Sequence, residues 1–517
     1  MATTKRKPFV LLIFDGWGIG PRDAANAIHV ARTPNYSAYV RKNGYTELKA
    51  SSVSVGLPAG QDGNSEAGHM NLGAGRVVEQ DSVMISRAIS NGTFFKNPAL
   101  IQAVKHAKKR KSNVHLMGLL SNGQSAHSHP DHLIALITFF RYQKAGKVFL
   151  HLFTDGRDSS RYSAIRLLRR YQNFFNSQST IATIIGRAYA MDRKKDWSHT
   201  ELAYNAMVEG KGEKYASSAE DAIIQAYNRG ETDEFILPTV IAANGKPVGR
   251  ISSGDSVVFF NLRSDRARQL SKPFVQPDFE KLNRGAFRRQ RHLKNLFFVA
   301  MTDFGPDLSL LTAFPSTDIV DTLPVALNHL RQLYIAESEK YAHITYFFNG
   351  GYDRTIAGEK RIMVPSPDVL SYKATPRMGL PKITARILQA LRSKRYDFIA
   401  ANVSNADMLA HTGSIKAAVL AIECIDKCLG IIVTETLAHS GTVVITGDHG
   451  NAEELVNRRT GEIDTEHSAN PVPLIIIRPG TAVRLRKSGK LADVAPTILE
   501  LMGVRKPESM TGKSLLV

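Results

Sequence analysis

Short runs of β-branched and aromatic residues alternate with helical stretches along the whole chain, and this alternation constrains the fold more than any other feature. The runs are FVLLIF (9–14), NVHLMGLL (113–120), VFLHLF (148–153), TIATII (180–185), VVFF (257–260), ITYFF (344–348), DFIAANV (397–403), TVVIT (442–446) and VPLIII (472–477). Strand-like runs separated by helices build an α/β fold with largely parallel sheets. At 517 residues the chain exceeds what one hydrophobic core usually supports, so two domains are expected. No internal repeat or low-complexity linker interrupts it. No apolar run approaches the roughly 20 residues that span a bilayer. The basic stretch Met1 to Lys7 leads into the first run without a small-residue cleavage site. A cytoplasmic protein with no membrane association is therefore expected.

The residues at the end of each run are as informative as the run. Asp15 comes after the first, Asp155 and Arg157 after VFLHLF, and Arg187 after TIATII. Arg263 comes after VVFF, Asp407 after DFIAANV, and Asp448 with His449 after TVVIT. Open α/β sheets bind ligands outside the carboxyl ends of their strands. Aspartate and histidine, the metal-binding types, occur near the N-terminus and again after residue 400, whereas arginine dominates between about 150 and 270. This order suggests one domain inserted into another. The expected boundaries give a discontinuous metal-binding domain at 1–78 and 312–517, with a substrate-binding domain at 79–311.

In GQDGNSEAGHMNLGAGR (60–76), Ser65 lies among glycines that let backbone wrap closely round a group. Position 67 is alanine, so this is not the G-x-S-x-G elbow of α/β-hydrolases. It is not a phosphate-binding P-loop either: the chain's GKS, Gly512 to Ser514, lacks the upstream glycine. A hydroxyl needs a base or a cation to attack, and a metal-activated serine fits this setting best. Asp407 and His411 stand at i and i+4, one helical turn apart and suited to one cation. Asp15 precedes a glycine turn, Asp448 and His449 precede another, and His467 precedes VPLIII. Three aspartates, three histidines and a serine would supply two divalent ions about 3.5–4 Å apart, the pair that clamps a transferring phosphoryl group. Mixed carboxylate and imidazole donors favour Mn, Zn or Co over Ca or Mg.

DGWG, GNSEAGHMNLGAGR, NADMLAHTG, GDHGNAE and H-x-x-NPVP together resemble the alkaline phosphatase superfamily. FTDGRD, GRAYAMDR, FFNLRSDRARQL and EKYAHITYFFNGG narrow the resemblance to the 2,3-bisphosphoglycerate-independent phosphoglycerate mutases, from about residue 8 to the C-terminus. The resemblance implies an alkaline-phosphatase-like domain carrying a second α/β domain. It implies an isomerase that interconverts 3-phosphoglycerate and 2-phosphoglycerate through a phosphoserine, with two divalent ions, most simply Mn2+ (Zn2+, Co2+ or Mg2+ also serving), and no added 2,3-bisphosphoglycerate. One metal would be held by Asp407, His411 and His467, the other by Asp15, Ser65, Asp448 and His449. Ser65 would carry the phosphoryl group, and Lys340, catalytic and substrate-binding, would reach the phosphate from the phosphatase-like domain. The inserted domain would bind the substrate through His127, Arg157, Asp158, Arg187, Arg193, Arg263 and Arg266, with Asp158 as the acid or base. Guanidinium forks are apt partners for a carboxylate and a phosphate. A small-molecule substrate and a monomer, with no specific nucleic acid, complete the implied picture.

The chain departs from the family pattern at SNGQSAHSH (121–129), where Asn122 replaces an expected aspartate and one residue is added. His127 and His129 are thus alternatives for the catalytic histidine, with His127 favoured. SSRYSA also replaces expected prolines after DGRD. A phosphatase, sulfatase or phosphopentomutase on the same metal core is the alternative activity. The formal charge of +20, gathered in KHAKKRK (105–111), RGAFRRQRHLK (284–294) and RLRKSGK (484–490), raises a further alternative, a basic nucleic-acid-binding relative. No nucleic-acid-binding motif accompanies these clusters, and they are read as solvated surface. Cys424 and Cys428, on one face of a predicted helix, are read as reduced, buried thiols.

Overall fold

Alternate residues of the strand Phe9–Phe14 enter two different cores: Val10, Leu12 and Phe14 one, and Phe9, Leu11 and Ile13 the other. A strand buried on both faces needs apolar residues at every position, which is why FVLLIF is an unbroken run rather than an alternating one. The computed structural model describes residues 7–175, 179–305, 307–315, 319–369, 371–458, 461–480 and 482–517, so the basic stretch 1–6 lies outside the described residues. The chain divides into two compact units: Met1–Gln80 with Asp318–Val517, and Asp81–Thr317. The expected boundaries were 78/79 and 311/312.

The first unit is built on an eight-stranded sheet. Its strands run in the order Lys360–Val364, Gln332–Glu337, Phe398–Val403, Phe9–Phe14, Thr442–Gly447, Val472–Ile477, Thr46–Lys49, Ser488–Lys490. The first five are parallel; Val472–Ile477 runs antiparallel to both its neighbours. Helix Ile415–Ala438 covers one face through Ala418, Ile422, Ile425, Leu429 and Ile432. On it Cys428 is buried, Cys424 is half-buried, and both are free thiols.

One expected strand is not a strand. ITYFF lies in a π-helical turn, His343–Phe347, closed by the Phe348 N–H donating to the His343 carbonyl at 3.0 Å. Packing of this turn beside helix Ser65–Ala74 overrides the β preference of its residues. The strand in this stretch is the earlier Gln332–Glu337.

The second unit has its own sheet, in the order Leu311–Thr312, Phe297–Ala300, Ser256–Phe259, Val114–Leu119, Val148–Thr154, Ser179–Gly186, Thr239–Ala243, Lys214–Ala216, with Lys246–Pro247 paired to Thr239–Ala243. The strands from Leu311–Thr312 to Ser179–Gly186 are parallel. Val114, Leu116, Leu150 and Leu152 enter one core, and Met117, Leu119 and Phe153 the other, so this sheet is also covered on both faces. Both units are thus α/β with mostly parallel sheets. Among the described residues, no helix is long and apolar enough to cross a membrane.

Candidate functional site

In the first unit four neighbouring parallel strands deliver polar side chains to their shared carboxyl edge. Asp15 directly follows Phe9–Phe14, and Asp448 with His449 directly follows Thr442–Gly447. Asp407 lies on the short helix Asn405–Ala410 after Phe398–Val403, and Lys340 follows Gln332–Glu337. Because Val472–Ile477 runs antiparallel, its beginning reaches the same edge and brings His467 there. Ser65 opens helix Ser65–Ala74, whose N-cap Asn64 accepts the Ala67 N–H at 2.9 Å. The serine therefore stands at the positive end of a helix, where an anionic group is favoured.

Two glycines let these segments close on one another. A Cβ on Gly16, which has φ +68°, would lie 2.8 Å from the Asp407 Cβ, and one on Gly68 would lie 2.5 Å from the Asp448 carbonyl oxygen. Both distances are too short for any other residue, which explains the glycines next to Asp15 and after Ser65.

The side chains form two donor clusters. Asp407, His411 and His467 make one and Asp15, Asp448 and His449 the other, each with its ligand atoms within 4.8 Å of one another. Ser65 Oγ lies 3.2 Å from Asp15 Oδ1 and 2.9 Å from His449 Nε2. Lys340 Nζ touches both clusters and the serine, donating to Asp15 Oδ1 at 2.8 Å, Asp407 Oδ2 at 2.7 Å and Ser65 Oγ at 2.7 Å.

The donor chemistry fits divalent cations. Each ligand-type histidine directs Nδ1 at a backbone carbonyl: His411 at Thr465 (2.8 Å), His467 at Gly63 (2.9 Å) and His449 at Gly450 (3.2 Å). That bond leaves the neutral ring's lone pair on Nε2, the arrangement that orients imidazole toward a metal. His411 Nε2 and His467 Nε2 face each other at 3.1 Å, a spacing that a shared proton or a bound cation bridges. Asp448 Oδ2, fully buried, makes no hydrogen bond among the described residues and lies 3.2 Å from His69 Nδ1 and 3.5 Å from His449 Nε2.

The charges are strongly coupled. Burial alone would raise Asp15 and Asp407, yet the Lys340 ammonium holds both carboxyls well below the usual range. Burial alone would lower Lys340, and Asp15, Asp407 and Asp448 instead raise it above the usual lysine range. His449 is pushed up to about 10: burial opposes its charge, but Asp448 and Asp15 outweigh burial. Taken together, the cluster is a carboxylate-rich centre that draws in positive charge.

The second unit gathers a different chemistry at the carboxyl edge of its own sheet. Arg187, buried and first after Ser179–Gly186, donates to Asp158 Oδ2 at 2.9 Å and pairs with Asp155. Ser125 Oγ donates to the same Asp158 oxygen at 2.7 Å. His127 is buried beside these groups, and its Nδ1 has no hydrogen-bond partner among the described residues. Burial, then the Arg263 and Arg187 cations, lower its pKa to about 4, so the ring is neutral at pH 7. Arg193 donates to Asp265 at 2.9 Å, and Arg266 donates to the Met191 carbonyl at 3.2 Å. Burial and the nearby Arg187, Arg193 and Arg157 cations lower Arg266, the mark of guanidiniums crowded together. Arg157 is the outlying member, with a side chain 55% exposed and 3.7 Å from Glu234. His129 is elsewhere occupied, capping helix Pro130–Tyr142 by accepting the Asp131 N–H.

The family model described as BPG-independent PGAM N-terminus (iPGM_N) matches residues 85–306. A 2,3-bisphosphoglycerate-independent phosphoglycerate mutase of Methanococcoides burtonii is 46% identical over 524 residues, covering 100% of this chain and 99% of its own. The chain belongs to the 2,3-bisphosphoglycerate-independent phosphoglycerate mutases. A Clostridium perfringens mutase is likewise 46% identical, with 99% of each chain covered. The Leishmania mexicana phosphoglycerate mutase, whose crystal structures were obtained at low cobalt concentration, superposes with TM-score 0.78 at 29% identity over 100% of this chain.

Several residues that surround the two donor clusters carry no signal strong enough to single them out in the sequence. Asn402 donates to Asp15 Oδ2 at 2.7 Å, and His69 lies 3.1 Å from that amide while its Nδ1 bonds the Ser65 carbonyl. Asn451 donates to Asp407 Oδ1 at 2.7 Å, and Glu453 accepts the Gly18 and Asn451 N–H groups. His69 and Asn451 lie inside the motifs GNSEAGH and GDHGNAE, so motif membership could have marked them. Asn402, within a strand, had no such mark. Arg289 is a correction within RGAFRRQRHLK: it is buried and donates to the carbonyls of Pro273, Gln276 and Pro277 and to Glu280, because the loop's own orphan acceptors need a donor.

Proposed function

We propose that this chain interconverts 3-phosphoglycerate and 2-phosphoglycerate, with Ser65 as the residue that carries the phosphoryl group between the two positions. The observation that carries this reading is the setting of Ser65 Oγ, held by Lys340 Nζ at 2.7 Å and His449 Nε2 at 2.9 Å at a helix N-terminus. In this reading the first unit performs phosphoryl transfer, and the second holds the glycerate.

Asp407, His411 and His467 would hold one divalent ion, and Asp15, Ser65, Asp448 and His449 the other; Mn2+ suits the mixed donors best. When bound, such ions lower the pKa of a coordinated hydroxyl and neutralise charge on a transferring phosphoryl group. Lys340, kept protonated by its carboxylate neighbours, stabilises negative charge on Ser65 Oγ and on the phosphoryl oxygens. Arg187, Arg263 and Arg266 grip the carboxylate and retain the glycerate after its phosphoryl group has left, with Arg157 and Arg193 at the margin. Asp158 handles the proton at the glycerate end. Burial would raise it, but Ser125 and Arg187 bring it below the usual carboxylate range. As the phosphoryl group passes to Ser65, the serine's proton ends on the glycerate 3-oxygen; Asp158, as a carboxylate, then takes the proton of the 2-hydroxyl that attacks phosphoserine 65 and gives it up as Ser65 is regenerated as a hydroxyl. Neutral His127 accepts a hydrogen bond from the glycerate or passes it one. Operation as a cytoplasmic monomer belongs to the same reading.

The test is a coupled assay from 3-phosphoglycerate without 2,3-bisphosphoglycerate, run with Mn2+ and then with chelator while free phosphate is recorded. Isomerisation that stops with chelator and releases almost no phosphate is the expected result. Phosphate release without isomerisation would sink the reading in favour of a phosphatase.

A further inference from the structure

The amino edge of the second unit's sheet, opposite the arginine pocket, is built from loops that carry cations and almost no acids. Four adjacent parallel strands begin there: Phe297–Ala300, Ser256–Phe259, Val114–Leu119 and Val148–Thr154. The segments leading into them are 288–296, 250–255, 105–113 and 141–147. Hydrogen bonds to backbone carbonyls tie these segments together. Gly254 N donates to the Lys294 carbonyl at 2.9 Å, Ser112 Oγ donates to the Gly254 carbonyl at 2.7 Å, and Val114 N donates to the Lys147 carbonyl at 3.0 Å. The end of KHAKKRK (105–111) and Lys294 at the end of RGAFRRQRHLK (284–294), far apart in the chain, thus meet at one edge, while Arg289 is buried away from it.

The face keeps its charge. Asp255 is the one carboxylate in the four segments, and it is buried, accepting from Asn113 N, Ser252 N and His115. Glu209, 3.3 Å from Arg291, offsets a single cation. Lys111, Lys144, Lys147, Arg250, Arg291 and Lys294 are all exposed. Helix C-termini account for the lysines at the end of Pro98–Arg110 and for Arg141 and Lys144 at the end of Pro130–Tyr142, but not for Lys147 or Lys294. Tyr142, between Arg141 and Lys144, is 81% exposed. An aromatic ring presented among cations is the pairing that stacks a base while its neighbours hold the backbone phosphates.

We propose that this face binds single-stranded nucleic acid without sequence preference, through its phosphates and one stacked base. It shares no residue with the arginine pocket or the metal-type centre, so both activities can coexist.

The experiment measures anisotropy of a labelled oligouridylate of roughly 20 nucleotides, longer than one binding site of this kind, across about 50 to 200 mM salt. With six phosphate contacts, the logarithm of affinity should fall against the logarithm of salt with a slope of about −4. Lys111→Glu with Lys144→Glu and Lys147→Glu should weaken binding at least about tenfold and make the slope shallower by about 2. Tyr142→Ala should weaken binding about fivefold with the slope unchanged. Charge reversal at Arg484, Arg486 and Lys487, in the first unit, should change affinity less than about twofold. The same lysines changed to Gln, and the thermal melt of every variant, separate lost charge from lost fold. The proposal is overturned if the unaltered chain does not bind, if both reversals cost the same, if Tyr142→Ala has no effect, or if duplex DNA or anionic vesicles bind as tightly as the oligouridylate.

Discussion

The two units solve one architectural problem with opposite charge. Each places polar side chains at the carboxyl edge of neighbouring parallel strands, one gathering Asp15, Asp407 and Asp448 with imidazoles and a single lysine, the other gathering Arg187, Arg263 and Arg266 around Asp158. The first therefore attracts cations and the second anions. A shared scaffold does not decide the chemistry; the residue at the end of each strand does.

The sharpest way to break this contrast is to remove the group that separates transfer from holding. Ser65→Ala should reduce isomerisation by about 10⁴-fold or more, because among the described residues no other hydroxyl at that edge carries the same contacts. Glycerate binding by the second unit should survive, and calorimetric titration with glycerate would show it. Isomerisation at a normal rate would end the phosphoserine reading. Next in size is Arg187→Lys. Arg187 reaches Asp155 and Asp158 through Nη1 alone, which leaves the rest of its planar guanidinium for a substrate carboxylate; a shorter lysine has no such second nitrogen, so kcat/KM should fall about 100-fold, or about 2.7 kcal/mol. Phosphorylation of Ser65 by substrate, followed by intact-mass measurement, should slow far less. Equal losses in both readouts would mean that Arg187 supports the fold rather than holding the substrate.

The donors of the first unit were legible because each is announced locally by an apolar run, an acid or histidine, and a glycine turn. Gly16 and Gly68 show why the announcement works, since no larger residue fits between the approaching segments. The strand Gln332–Glu337 had no such signal. Its terminal Gln332 and Glu337 read as polar, yet both are buried, Gln332 donating to the Pro324 and Leu327 carbonyls and Glu337 accepting from Gly379 N. ITYFF failed in the other direction: β-prone residues were recruited into a π-helical turn by packing that sequence does not display. In the second unit the arginines were visible, but their ranking was not. Arg187 is buried while Arg157 stands in solvent, a difference set by Asp155 and Asp158 rather than by spacing.

The smallest expected effect separates the units by acid. Burial keeps His115, His127, His132 and His151 of the second unit below the ordinary histidine range, with His127 at about 4 and His132 at about 3. The first unit has His343 and His467 in that condition. A histidine lowered in the folded state takes up its proton first in the unfolded chain. Its contribution is therefore whole above about pH 6.5 and is lost as pH falls toward the folded value. At pH 5 His127 and His132 should each cost on the order of 2 kcal/mol. The chain has two tryptophans, Trp17 in the first unit and Trp197 in the second, so Trp17→Phe and Trp197→Phe each leave a probe of one unit. Between pH 7 and pH 5 the Trp197 signal should lose more melting temperature than the Trp17 signal. A larger loss at Trp17 would show that the carboxylate-rich centre, not the buried histidines, sets the acid limit of the fold.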